Sequence, residues 1–168
     1  MTDEPGVVEG PPDAGAGFVE WVRPHLPAMA RLAARLAVGA DRDDIVQDAL
    51  ARAWSKRSQY DATRGTPSAW LLAITADQAR KAARRLRSAK ELDDHDVPVS
   101  RPDLDARMDV EHALTSLSAR QRRAVDCYYF ADLSIADTAA VMGCSEGTVK
   151  STLSDARSRL RTLLEVHE

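Results

Sequence analysis

Aromatic residues are scarce in this chain: three Trp, three Tyr and two Phe make up 5% of its 168 residues. Runs of β-branched and aromatic residues long enough to make a strand are missing too, so nothing proposes a sheet. Cysteine is nearly absent. Cys127 and Cys144 form no C-x-x-C pair and have no histidine at ligand spacing. That excludes a disulfide framework and suits buried thiols in a reducing compartment. No stretch approaches the ~18 consecutive apolar residues of a membrane span. The opening "MTDEPGVVEGPPDAGAG" carries four acids and no base, and so does not read as a signal peptide. These absences predict a cytoplasmic protein with no membrane insertion.

What is present is aliphatic. The chain is 44% hydrophobic, and Ala and Leu dominate that share. With Arg, Glu and Gln they lose little on entering a helix, so the composition predicts an all-α fold.

The net charge of −3 hides a strong asymmetry. Residues 1–17 are acidic and rich in Gly and Pro, and are predicted to be a disordered tail. Residues 18–87 hold 13 bases against 7 acids, and 88–110 hold 3 against 7. Residues 111–168 are nearly balanced, with 7 bases and 8 acids. The densest basic run is "ARKAARRLR" at 79–87. A block of this kind points to a polyanion, or to an acidic segment of the same chain that masks it.

Local signals divide the chain into helices. An apolar period runs from Phe18 to about Val38, and Gly39 stops it. Asp41 caps a helix whose apolar stripe is Ile45, Val46, Ala49, Leu50, Ala53 and Trp54. A loop follows over 55–65. Thr66 before Pro67 starts the next helix, since proline at the first position needs no N–H. Its predicted inward stripe is Trp70, Leu71, Ile74, Gln78, Ala82 and Leu86. Residues 88–110 lose periodicity and read as a flexible acidic linker. The chain thus divides into a tail (1–17), a first domain (18–87), a linker (88–110) and a second domain (111–168).

In the second domain Ser118 with Gln121, and Ser134 with Asp137, are capping pairs, the first opening a helix over 119–131. In "AAVMGCSEGTVKSTL" two short helices meet at Gly143, the pattern of a helix-turn-helix. Ala139 is small where the helices cross, Gly143 supplies the bend and Val149 plugs the core. Glu146, Gly147, Thr148, Lys150, Ser151, Ser154 and Arg157 then face outward, as residues do that meet a DNA groove. A plain helical corner without DNA has the same spacing.

Residues 114–164 resemble region 4, and 41–85 region 2, of bacterial sigma factors of the extracytoplasmic-function group. The two resemblances come in the family's order, joined by a linker. The resemblance implies core RNA polymerase (β′ and β subunits) as a partner, the helix bearing "DDIVQD" docking on β′ through Asp44, Gln47 and Asp48. It implies that Tyr60, Asp61 and Arg64 capture an unstacked base of the promoter −10 element. Asp77, Gln78, Arg80, Lys81 and Arg84 would follow the separated strand, and residues 145–157 would read −35 duplex. It also implies promoter DNA and an anti-sigma factor as partners. Thr152 and Asp155 stand where relatives usually carry arginine, which implies a weak grip on −35 phosphate.

No nucleophile–base pair or metal set is legible, so neither catalysis, a small-molecule substrate nor a cofactor is expected. Two other readings stay open: a conventional helix-turn-helix regulator that leaves residues 41–87 unused, and a sigma-like adaptor without promoter activity.

Overall fold

In the computed structural model, residues 10–92 and 105–165 are described, and among them the regular elements are helical throughout. Helix α1 (Gly15–Val22) buries Phe18 and Val22. Proline splits the long helix expected over 18–38: Arg23–His25 form a 3₁₀ turn, and α2 (Leu26–Leu36) restarts with Pro27 in its first turn. Gly39 then takes φ +89, and a Cβ there would meet the Leu86 side chain at 3.2 Å. Asp41 caps α3 (Arg42–Ser55), its carboxylate accepting from the Asp43 and Asp44 amides. The Thr66 hydroxyl accepts from the Ala69 amide at the start of α4 (Pro67–Leu92).

The expected disorder of 1–17 does not hold for its described part. Helix α1 starts at Gly15, Pro12 packs on Gly17, and Asp13 reaches Arg57 at 3.3 Å. Phe18 and Val22, buried in the core, draw this segment in. The expected linker bounds, 88–110, overlap two helices. Helix α4 continues to Leu92 and α5 (Asp105–Thr115) begins before 110, so 93–104, with Asp93, Asp94 and Asp96, lies outside the described residues.

The second domain is α5, α6 (Ala119–Val125), α7 (Ile135–Met142) and α8 (Glu146–Glu165). Ser118 and Gln121 make a reciprocal capping box. Ser134 caps α7, Gly143 ends it at φ +64, and the Ser145 hydroxyl accepts from the Thr148 amide at the start of α8. The expected helix over 119–131 instead ends at Val125 and widens into a π turn over Asp126–Phe130. The Ala131 amide donates to the Asp126 carbonyl at 2.9 Å, and Asp132 at φ +56 turns the chain toward α7. Wide turns of this kind are uncommon and interrupt the helical register.

The two domains are docked. One hydrophobic cluster contains Phe18, Met29, Leu32, Leu71 and Leu72 of the first and Cys127, Ala131, Leu133 and Val141 of the second. Its polar edge is Arg35, whose Nε donates to Asp126 Oδ1 at 2.6 Å and whose guanidinium lies 3.7 Å from the Phe130 ring centroid. Arg31 donates to the Ala131 carbonyl and Ser68 to Asp137. Docking explains why the fully buried residues of α4 are Leu71, Leu72, Thr75, Ala76 and Ala79, while Trp70, Ile74 and Ala82 of the predicted stripe are only partly buried against the core. One face meets α2 and α3, and a second meets α7. A helix packed on two sides has no single amphipathic stripe to read.

Cys127 reports on this docking. Burial, helped by the Asp126 carboxylate, pushes its thiol up to about 12. A disulfide reagent at pH 8 is expected to titrate the half-buried Cys144 and leave Cys127 untouched until denaturant is added. Equal rates for both thiols in the native protein would contradict the docked core.

Candidate nucleic-acid and polymerase interfaces

The α3 face opposite the core carries Asp44, Gln47 and Asp48, all exposed, and their side chains make no hydrogen bond or ion pair among the described residues. Asp43 and Asp44 lie in the first turn, where a carboxylate complements the helix dipole. Asp48 is seven residues into α3, beyond the reach of that effect. It lines an open groove with Arg52, Gln78 and Lys81, so the polymerase set and part of the −10 set border one surface.

Tyr60 follows the 3₁₀ turn Arg57–Gln59. Its hydroxyl donates to the Gly65 carbonyl at 3.1 Å, and its ring meets Trp21 and Trp70 edge-on at 5.6 and 5.4 Å. Burial raises the phenol above its ordinary value. A Cβ on Gly10 would come within 3.3 Å of the ring, so the N-terminal segment lies across it. Tyr60, Asp61, Arg64 and Trp70 line a pocket of about 330 Å³, and one wall is Ala140 of α7. Asp61 is tied into its own turn by the Thr63 hydroxyl and amide, which hold its carboxyl below the usual range. The three loop residues therefore meet at one concavity, but the tail and the second domain flank it.

The α4 residues divide. Asp77 pairs with Lys81 at 3.0 Å and lies 3.8 Å from Arg80, and these bases hold its carboxyl down. Gln78 and Lys81 face the α3 groove, while Arg80 and Arg84 face the second domain across another groove. The single strand-following face implied for α4 is thus interrupted by docking.

On α8, Glu146, Gly147, Lys150, Ser151, Ser154 and Arg157 are exposed, and nothing crowds Gly147 closer than 3.9 Å. Thr148 is half-buried, its hydroxyl against Ser145 Oγ, and Arg157 donates to the Tyr129 hydroxyl at 3.4 Å. Val149, Leu153 and Ala156 fill the domain core. Thr152 corrects the sequence reading. It is 8% exposed and shares the inward stripe, three residues after Val149, so it is a packing residue. Asp155, the other of the two positions, is exposed on the outer face.

Sequence reasoning missed the wall that α7 gives the loop pocket, the tail across Tyr60, and Arg122 and Arg123. The last two carried a signal, two adjacent bases on a capped helix, but nothing local shows that they face α4.

A family model described as Sigma-70 region 2 matches residues 21–89, and one described as Sigma-70, region 4 matches 107–160. The chain is 34% identical over 150 residues to the ECF RNA polymerase sigma factor EcfG of Rhodopseudomonas palustris, covering 84% of this chain and 81% of that one. It is 36% identical over 155 residues to SigM of Mycobacterium tuberculosis, covering 88% and 76%. Among solved structures it is similar to CnrH in complex with the cytosolic domain of CnrY (TM-score 0.63, 25% identity, 92% of each chain). It is also similar to the sigma factor RpoE in complex with the anti-sigma factor NepR from Bartonella quintana (TM-score 0.59, 32% identity, 90% and 98%).

Proposed function

The chain belongs to the extracytoplasmic-function RNA polymerase sigma factors, and from that membership we propose how its two domains divide the work of promoter recognition. It is a sigma factor: it binds core RNA polymerase and directs initiation at promoter DNA. Sigma factors regulate and do not catalyse, and the bond-making chemistry belongs to the polymerase. No described helix is long and apolar enough to cross a membrane, which suits work in the cytoplasm.

The observation that carries the assignment of residues is the unpartnered acidic face of α3. Asp44, Gln47 and Asp48 dock on polymerase there. The α8 face from Glu146 to Arg157 reads −35 duplex and is open in the docked chain. Its only fully free base near the base edges is Lys150, so this domain positions the protein and supplies little of the electrostatic grip. The loop of Tyr60, Asp61 and Arg64, with α4, takes the −10 strand by stacking and backbone contact. Trapping extruded bases supplies the work of melting.

Distance decides that the docked form is not the one on the promoter. The −10 and −35 elements lie about 25 base pairs apart, roughly 85 Å of duplex at 3.4 Å per step. A compact chain of this length has a radius of gyration of about 15 Å and is roughly 40 Å across. The domains must part before both elements are read, and parting also frees the loop pocket from α7. An anti-sigma factor that holds the domains together would act on this equilibrium.

The test is co-purification with core enzyme followed by run-off transcription. Asp48→Arg is expected to lose the complex, by about 100-fold or more in affinity, because it turns an attraction into a like-charge clash. The exposed site predicts an unchanged melting temperature. A variant that still binds and initiates normally rules out this docking face.

A further inference from the structure

Between α4 and α6 the docked domains border a groove of about 360 Å³. Arg80, Arg84 and Arg87 line it from the first domain, Arg122 and Arg123 from the second. Asp126 also lines it, but that carboxylate is taken by Arg35 Nε at 2.6 Å. Arg80 has Asp77 at 3.8 Å. No ion pair or hydrogen bond engages the guanidinium groups of Arg84, Arg87, Arg122 or Arg123 among the described residues. Among the described residues, docking therefore gathers five guanidinium groups around one space with too little negative charge to balance them, and their mutual repulsion opposes the docked state.

A guanidinium is a planar fork that takes phosphate oxygens two at a time, and is more weakly hydrated than an ammonium. The groove has the size of a small-ligand pocket, yet its lining is cationic where such pockets are mostly apolar. The fitting ligand is compact, with several negative charges on closely spaced oxygens. We propose that this groove is a binding site for an oligophosphate, and that the bound anion clasps the second domain onto the first. Its phosphates draw Arg122 and Arg123 toward Arg84 and Arg87 and cancel the repulsion that docking otherwise meets. Two sources share this chemistry: a free polyphosphate chain, and the backbone of a short single strand. The site claims Arg80 and Arg84, so on the function proposed above its occupant competes with the −10 strand.

Inorganic tripolyphosphate is titrated into the full chain by calorimetry, with small-angle X-ray scattering in parallel and no polymerase or promoter present. One tripolyphosphate per chain is expected, with the chain compact when bound. Arg122→Ser with Arg123→Ser should weaken it about tenfold or more. The Lys pair at the same positions should fall between, keeping charge and losing the fork. If the serine pair disturbs the second domain by circular dichroism, Arg87→Ser on the exposed side of α4 carries the test. No binding overturns the proposal. So does binding that the serine pair leaves unchanged while Arg84→Ser abolishes it, because the anion then sits on α4 alone. A hexanucleotide of single-stranded DNA forms the second arm. If it compacts the chain and the serine pair abolishes this, the backbone is a source. If it binds regardless of that pair, free oligophosphate is the source. Failure here leaves polymerase binding and initiation as proposed, since neither enters the measurement.

Discussion

Asp126→Ala is expected to part the two domains. The pair it removes joins side chains only 12% and 17% exposed, at 2.6 Å. Removing one partner of a buried pair costs roughly 3–5 kcal/mol, because the other charge stays behind uncompensated. Arg35 retains some help, since Glu111 lies at 3.4 Å, but that residue is 55% exposed. The Phe130 ring also remains beneath the guanidinium. The loss is then about 2–3 kcal/mol, a shift of roughly 30- to 150-fold in docking. Scattering should show the radius of gyration rising from about 15 Å, Cys127 should become reactive, and helicity should hold. A variant that stays compact with Cys127 still protected shows that the latch is elsewhere.

The same residue sets a pH dependence. Burial outweighs the Arg35 guanidinium and holds the Asp126 carboxyl above its ordinary value, Arg122 lowering and Glu111 raising it further. The docked state therefore binds this proton more tightly than the parted state, where the carboxyl is solvated. Docking is favoured as pH falls through the raised value, and the gain is complete below the ordinary one, because the protonated carboxyl sheds its desolvation cost while its oxygen still accepts from Arg35 Nε, an acceptor that Asp126→Ala removes. Asp126→Ala should abolish this slope.

Val149→Asp is expected to unfold the second domain. Val149 is fully buried among Leu114, Leu117, Val125, Ala139 and Leu153. A carboxylate placed there has no partner, and the cost is on the order of 4 kcal/mol or more. A domain of about 60 residues has roughly 3–9 kcal/mol of stability to lose. Val149→Ala, which only opens a cavity, should cost about 2 kcal/mol. Thermal melting followed by circular dichroism separates the two: the Asp variant loses the helicity of α5–α8, and the Ala variant melts earlier but fully folded. Run-off transcription from promoters that need a −35 element should fall with the Asp variant. A wild-type melt for Val149→Asp removes Val149 from the core of the helix-turn-helix.

What was legible and what was not follow a physical division. The caps at Asp41, Thr66, Ser118 and Ser134 were readable because each satisfies an amide within three residues of itself. Gly143 was readable because a left-handed residue is needed where one helix stops and another starts at once. Thr152 was misplaced although its spacing from Val149 and Ala156 marks it as inward; a comparison with relatives overrode a local period. The end of α6 was not legible, because a π turn depends on what Asp126 and Phe130 meet, and they meet Arg35 of another domain.

The sequence by itself determined the all-helical class, the capped helix starts, the helix-turn-helix and the family. These rest on hydrogen bonds and side-chain periods that close within a few residues. Tertiary structure alone decided which faces are covered. It set Arg35 on Asp126 across 91 positions, walled the loop pocket with Ala140, and turned five arginines of two domains onto one groove. Such meetings depend on the fit of whole surfaces, and no short-range pattern in the chain encodes that fit.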